Sequence, residues 1–411
     1  MCSLCGLRGI MKVMTAYIAD NICNSGEYSP YLPHKKREMI QYIHQLKNWP
    51  KLTWNNDDLL YLLGKVRNQQ GKLVGRMEAL GFDLRNEAVL ETITLDILKS
   101  TEIEGESLDP DQVRSSIARR LGMDISGLVP SDRNVDGIVD LMLDATQQFN
   151  KPLTAERLFD WHSGLFPTGR GGIYRITVGG WRKDSTGPMQ VVSGAMGKEK
   201  VHYQAPDSTG LEREMTAFIN WFNQDENLDM VIKAGVAHLW FVTIHAFDDG
   251  NGRVARALAD MILARADGSP QRFYSMSAQI RLERKEYYDI LETTQQGTLD
   301  ITDWLKWFLN CLLHALDSTE SVLAKVLYKA EFWKKHQTIS LSNRQTIMIN
   351  KLLDGFNGKL TTSKWAKITK CSADTALRDV QDLINKGILC KEPSGGRSTN
   401  YELFEKAQGT R

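Results

Sequence analysis

The chain has 411 residues, 42% of them hydrophobic and 25% charged, and a formal net charge of +1. This length predicts two or three domains at about 150 residues each, and the composition excludes a fibrous repeat or a wholly disordered chain. Near-neutrality excludes a whole-molecule field for nucleic acid or membrane, and the longest apolar run, Ala234 to Ile244, is far short of the ~20 residues that span a bilayer.

At the amino terminus, "MCSLCGLRGIMKVM" lacks the continuous apolar region and small-residue cleavage site of a secretory signal. The six cysteines, at 2, 5, 23, 311, 371 and 390, are scattered in the way a reducing cytoplasm permits, so a cytoplasmic protein is expected. Cys2 and Cys5 form a CxxC without two further zinc ligands nearby and read as part of a frayed terminus. Helical periodicity then runs from Lys35 to about Phe166, as in Leu59, Leu62, Leu63 and Val66, or Ile138, Leu141, Met142 and Ala145. Trp49 and Trp54 within it read as core residues. From Gly171 to Pro206, glycines punctuate "MQVVSG" and "KVHYQAP", the pattern of a β-hairpin or flap. Helices resume at Gly210 and continue to about Gly355, with one long stretch from Ile301 to His336.

The last segment is organised differently. A short helix (Ser363 to Ile368) precedes a turn, Ser372 can cap a second helix striped by Ala376, Leu377, Val380, Leu383 and Ile384, and Gly387 stops it. Two short strands around "SGGRS" complete the pattern of a winged helix-turn-helix. Leu341 to Arg411 holds twelve Lys/Arg against seven Asp/Glu, so it carries +5 and the remainder −4. DNA binding fits a basic winged helix, whereas Asp379 and Asp382 on its second helix oppose close phosphate contact and favour partner recognition. The expected domains are a helical region at 1–110, a core at 111–336 and the winged-helix-like segment at 337–411.

The stretch "HAFDDGNGRVAR", residues 245–256, is the candidate site. It joins a helix ending near His245 to one beginning near Asn251. Gly250 and Gly252 can turn successive amide hydrogens inward as an anion-binding nest on a helix N-terminus, where the dipole favours negative charge. Arg253 and Arg256, three residues apart, share a face there. Cations at that pole make sense if both hold a multiply charged anion such as a polyphosphate. Asp249 beside it suits Mg²⁺, which takes one or two carboxylates plus phosphate oxygens and water, and His245 suits a general base. Phe247 anchors the loop, and His238, one helical face earlier, reads as a buried structural histidine. The plainer alternative is an interhelical turn capped by Asn251 with solvated arginines.

A second motif is "LETITLDILKSTEIEGESL". Leu90, Ile93 and Ile97 form an apolar stripe whose spacing continues to Ser100 and Glu104, and Gly105 ends the helix. A carboxylate on the inward face at the negative pole of a helix needs a cation, unless Glu104 is a solvated residue at a frayed end.

Residues His245, Phe247, Asp249, Gly250, Asn251, Gly252, Arg253 and Arg256 match the HxFx(D/E)GNGRxxR signature, and in this respect the chain resembles Fic-domain proteins. Ala246 departs from the usual proline, and Gly250 separates the chain from the phosphotransferase branch, which resembles a variant with lysine there. The resemblance implies a mainly α-helical core with a small β-hairpin flap that transfers AMP from ATP to a hydroxyl side chain (Tyr, Thr or Ser) of a target protein. It implies His245 as base, Asp249 as Mg²⁺ ligand, the 250–252 loop as phosphate cradle and both arginines on the triphosphate. "STEIEG", Ser100 to Gly105, resembles the (S/T)xxxE(G/N) inhibitory motif, which implies that Glu104 pairs with Arg256 and displaces the γ-phosphate while Ser100 seats a helix at about 87–105. The 187–206 segment resembles the flap hairpin that registers a target as an added strand. Alternatives with the same site are a hydrolase that removes AMP from a modified protein and a nucleotide-sensing winged-helix regulator of transcription. A homo-oligomer stays open, and no membrane partner is expected.

Overall fold

The computed structural model describes residues 41–404, except 79–81, 124–126, 173, 185–186, 195–197, 225–226, 357 and 393–398. Cys2 and Cys5, the amino-terminal reading and the "SGGRS" turn lie outside the described residues. The described residues fall into two compact units, one made of those up to 78 with Val89–Ile117 and Pro130–Thr319, the other of Phe82–Ala88, Ala118–Val129 and Glu320 onward.

In chain order the helices begin with α1 (Asn56–Glu78), α2 (Phe82–Ile103), α3 (Pro110–Arg120), α4 (Arg133–Gln147) and α5 (Ala155–Leu165). Two antiparallel hairpins follow, β1 (Arg170–Gly171) with β2 (Tyr174–Arg175) and β3 (Gln190–Ser193) with β4 (Lys200–Gln204). Next come α6 (Leu211–Asn223), α7 (Met230–Ile244), α8 (Asn251–Asp267), α9 (Met276–Leu282), α10 (Arg284–Gln295), α11 (Thr302–Lys335), α12 (Asn343–Leu353), α13 (Thr362–Thr369), α14 (Ala373–Asn385), and the antiparallel pair β5 (Leu389–Lys391) and β6 (Tyr401–Leu403). The architecture is mainly α with small hairpins, as the sequence predicts. Among the described residues no helix is long and apolar enough to cross a membrane.

Helix starts follow local chemistry. Asp132, Thr154, Asp229 and Ser275 each accept a hydrogen bond from a backbone N–H in the first turn of α4, α5, α7 and α9, caps that contribute about 1 kcal/mol apiece. The centre of the first unit is α7, buried at every residue from Val231 to Ile244. Its lysine is tolerated there because Lys233 Nζ donates to the Gln224 carbonyl at 2.6 Å. α8 packs along α7 and is buried through Val254–Ala264. Burying two consecutive helices on nearly all sides makes the loop between them a rigid mount, since neither helix can shift without opening a packed core. His238 on α7 is buried, with Nε2 2.9 Å from the Tyr287 hydroxyl, as a structural residue should be.

The two early tryptophans differ from expectation. Trp49 and Trp54 are only half-buried. Each indole N–H reaches a polar partner near the surface, Glu214 at 2.9 Å and Asn56 at 2.9 Å, which holds one edge of the ring outward.

In the second unit, Trp365 is fully buried among Met348, Ile349, Leu352, Leu383 and Leu389. Ser342 and Gln345 form a capping box on α12, and Ser372 accepts from Thr375 N to start α14. Gly387, at φ +70°, follows α14. Asp379 takes Arg344 at 2.8 Å, and Asp382 takes Gln345 and Lys386, so both acids flagged in the sequence are engaged within the unit.

Candidate active site

α7 ends by placing His245 in the left-handed region, φ 54° and ψ 55°, with its backbone N–H donating to Phe241 O at 3.0 Å. A non-glycine residue adopts this conformation uncommonly, and here buried contacts hold it. Arg182, fully buried, does so from outside the motif: its Nε donates to His245 O at 2.7 Å, its guanidinium also binds Asp184 and the Pro206 carbonyl, and its backbone N–H donates to Ala246 O at 2.9 Å. Ala246 is itself buried and held by that bond, so the residue that replaces the usual proline sits in a packed position.

The rest of the loop is closed by its own residues. Asn251 bridges Phe247 with both side-chain atoms, donating to its carbonyl at 2.8 Å and accepting from its N–H at 2.9 Å. Asn251 is therefore the first residue of α8, with Gly250 before it at φ +80°. Phe247 is buried and stacks on His162 with centroids 4.2 Å apart. His162 contacts the Asp249 carbonyl at 3.2 Å through Nε2, and Asp248 accepts from Thr177 N at 2.7 Å. A side chain at Gly250 would meet Phe166 at 2.9 Å in a backbone conformation that only glycine adopts freely.

His245 Nδ1 lies 3.2 Å from the Val242 carbonyl. A carbonyl only accepts, so Nδ1 carries the proton and Nε2 keeps its lone pair. Burial of the ring, helped by the Arg182 charge and opposed by the Val242 contact and Glu104, pushes its pKa down to about 4. The imidazole is thus neutral at neutral pH. It lines a cavity of about 330 Å³ together with Glu104, Asp249, Gly250, Gly252 and Tyr288.

Glu104 comes from just beyond α2, where Gly105 at φ +82° turns the chain. Ser100 and Glu104 both meet Arg256: Nε donates to Ser100 Oγ at 2.9 Å, and Nη2 donates to Ser100 O at 2.9 Å and to Glu104 Oε1 at 2.8 Å. Glu104 Oε1 lies so close to Gly252 that a Cβ there would stand 2.4 Å from it. Burial opposes the charge on Glu104, but Arg256 and Arg253 outweigh it and hold the carboxyl below its ordinary range. Arg253 pairs with Glu106 at 3.2 Å, and its Nη2 lies 3.8 Å from Asp249 Oδ1. Asp249 Oδ1 also accepts from Gly250 N at 2.6 Å.

The structure therefore brings together His245, Asp249, Gly250, Gly252, Arg253, Arg256, Ser100 and Glu104, with Asn251 acting inside the loop as its clasp. The arginines are not solvated. Both are buried and paired to acids, yet Arg253 Nε and Arg256 Nη1 have no hydrogen-bond partner among the described residues. Buried guanidinium donors left without acceptors cost free energy, and a ligand rich in anionic oxygens would satisfy them. Arg182, Glu106, His162 and Asp248 join the site without having been expected there: Asp248 lies inside the 245–256 stretch and Glu106 two residues past Glu104, whereas Arg182 and His162 carry no local signal.

A loop that joins two buried helices, turns at a left-handed Gly250 and places an imidazole on the wall of a cavity beside two paired arginines defines the site of this helical protein. Residues 152–263 match the Fic/DOC family and residues 42–123 a domain of unknown function (DUF4172); the chain therefore carries a Fic domain. It is similar to the protein adenylyltransferase Fic of Culex quinquefasciatus, at 23% identity over 325 residues, covering 71% of this chain and 57% of that protein. The protein adenylyltransferase Fic of Nematostella vectensis is 34% identical over 117 residues, 28% of this chain and 25% of that one. Among solved structures, a Fic family protein from Desulfovibrio desulfuricans G20 aligns with a TM-score of 0.48 at 18% identity, covering 85% of this chain and 97% of that one. The chain spans little more than half the length of the first of these curated relatives.

Proposed function

We propose that the chain transfers AMP from ATP to a hydroxyl side chain (Tyr, Thr or Ser) of a protein, releasing pyrophosphate, and that Glu104 restrains this activity. The observation that carries the reading is the Glu104 carboxylate bound to Arg256 against Gly252 at the start of α8: the cation at a helix N-terminus already holds an anion, supplied by the protein itself. With ATP in place of that carboxylate, the 250–252 amides and the two guanidinium groups bind the phosphate chain. The target oxygen attacks the α-phosphorus, the bond from that phosphorus to the pyrophosphate oxygen breaks, and the hydroxyl proton passes to Nε2 of His245, which is neutral and tautomerically set to receive it. Arg182 keeps that ring in place.

Mg²⁺ fits beside this loop. Asp249 is a carboxylate on the cavity wall, and no cluster of three or more metal-binding side chains exists among the described residues, so the ion would depend on phosphate oxygens and water as Mg²⁺ commonly does. When bound it supplies positive charge to the phosphates. Target docking belongs to the β3–β4 hairpin, whose outer edges can take an added strand. For the second unit we propose a winged-helix module used for partner recognition, since Asp379 and Asp382 lie on its second helix; tight, salt-sensitive DNA binding would replace that reading with a DNA-binding one.

The test is transfer to other polypeptides. Incubating the Glu104→Gly chain and a protein mixture with ATP labelled at the α-phosphate should label polypeptides in the mixture, and adding His245→Ala should remove that label. Equal labelling by the His245→Ala chain overturns the reading.

A further inference from the structure

The cavity has a second imidazole. Ser193 on β3, His202 on β4 and Glu292 on α10 line it together, and they are joined in series: Ser193 Oγ is 2.6 Å from His202 Nε2, and His202 Nδ1 is 2.6 Å from Glu292 Oε2. Burial raises the Glu292 carboxyl, but hydrogen bonds from His202 and Lys200 outweigh it and leave it below its ordinary value, so it is ionised and only accepts. Nδ1 therefore carries the ring proton, and Nε2 takes the hydrogen bond from the Ser193 hydroxyl. This is the order of groups that activates a hydroxyl nucleophile.

Two backbone features hold the arrangement. Strand pairing runs Val191 to Tyr203 and then Val192 to Val201, so His202 has no cross-strand partner and is the extra residue of a β-bulge. A bulge reverses the side-chain alternation by one position, which turns His202 toward the face that bears Ser193. α10 and the residue that follows it grip the same residue twice, through Glu292 and through Gln296 Nε2 donating to the His202 carbonyl at 2.9 Å. A hairpin that needed only stability would have no use for a bulge braced in this way.

We propose that Ser193 is itself an acceptor of the AMP group, a self-modification site built into the hairpin. The proposal rests on the adenylyl-transfer reading above, because ATP in this cavity supplies the electrophile. Ser193 Oγ attacks the α-phosphorus and forms the O–P bond, the bond to the pyrophosphate oxygen breaks, pyrophosphate leaves, and the hydroxyl proton passes to His202 Nε2 beside the Glu292 charge. The product, an adenylyl group on Ser193, occupies the cavity that ATP and a target would use and so makes the enzyme self-limiting.

Mass spectrometry of the Glu104→Gly chain after incubation with ATP tests this. AMP should map to Ser193, vanish in Ser193→Ala, return in Ser193→Thr, which keeps a hydroxyl, and form roughly a hundredfold more slowly in His202→Asn, as expected for loss of a general base. AMP found on other polypeptides but never on Ser193 overturns the site and leaves adenylyl transfer standing. An undiminished rate in His202→Asn overturns the relay. AMP on no polypeptide at all overturns both readings.

Discussion

Replacing Glu104 by Gly removes the anion that the protein places on its own Arg256. The interaction lost is one charge-assisted hydrogen bond, Arg256 Nη2 to Glu104 Oε1 at 2.8 Å, in a buried setting. Hydrogen bonds to charged groups contribute about 1.5–3 kcal/mol. On the proposed reading ATP displaces this bond to reach Arg256, so at ~1.4 kcal/mol per decade its affinity should rise roughly 10- to 100-fold in the variant. Titration calorimetry on the wild-type and Glu104→Gly chains measures the change. The fold should lose less than the ~3–5 kcal/mol typical of an orphaned buried charge, because Arg256 keeps both of its bonds to Ser100. An ATP affinity in Glu104→Gly that equals or falls below that of the wild type would refute the argument that Glu104 occupies a phosphate position.

Three further outcomes follow from the same geometry. His245, with a pKa of about 4 in the fold against ~6.5 in the unfolded chain, is protonated first in the unfolded state, so its contribution to stability is full above about pH 6.5 and is lost as pH falls toward 4; transfer by Glu104→Gly should stay level from pH 8 to 6 and drop only through the acid limb, and a midpoint near 6.5 would contradict the neutral buried imidazole. Arg182→Met strips His245 O, Pro206 O and Asp184 of their guanidinium donors, and should cost about 3–5 kcal/mol in denaturant unfolding while lowering kcat more than it raises KM for ATP; a fall confined to KM would mean that Arg182 does not position the imidazole. Gly252→Ala brings a methyl group to 2.4 Å from Glu104 Oε1, so its stability penalty should shrink in the Glu104→Gly background; strict additivity in that double-mutant cycle would show that the two residues do not touch.

Much of this site was legible in short stretches of chain. The order of His245, Gly250, Asn251, Gly252, Arg253 and Arg256 specifies a helix end, a turn and a helix start within twelve residues, and contacts of that range are set by local conformation. The inward face of α2 was legible for the same reason, since Ile93, Ile97, Ser100 and Glu104 repeat at helical spacing. Ser372 announced its helix in the same way, as a side chain able to cap the first turn. The two tryptophans misled because an indole reads as apolar in a pattern while its N–H seeks a polar partner in the fold.

Other features exist only once the chain has packed. Arg182 lies 63 residues from His245, and "GGWRKD" holds nothing to say which carbonyls its guanidinium will find. Glu106 stays exposed in the fold, and nothing in its own stretch of chain says that α8 delivers Arg253 to it. Ser193, His202 and Glu292 form a relay because a one-residue bulge changes the facing of β4 and α10 crosses behind it. Neighbours along a chain share a geometry fixed by bond lengths and hydrogen-bond periods, and a reader of the sequence can reconstruct it. Pairings between distant segments are chosen by the fit of whole buried surfaces, and no single segment contains that information.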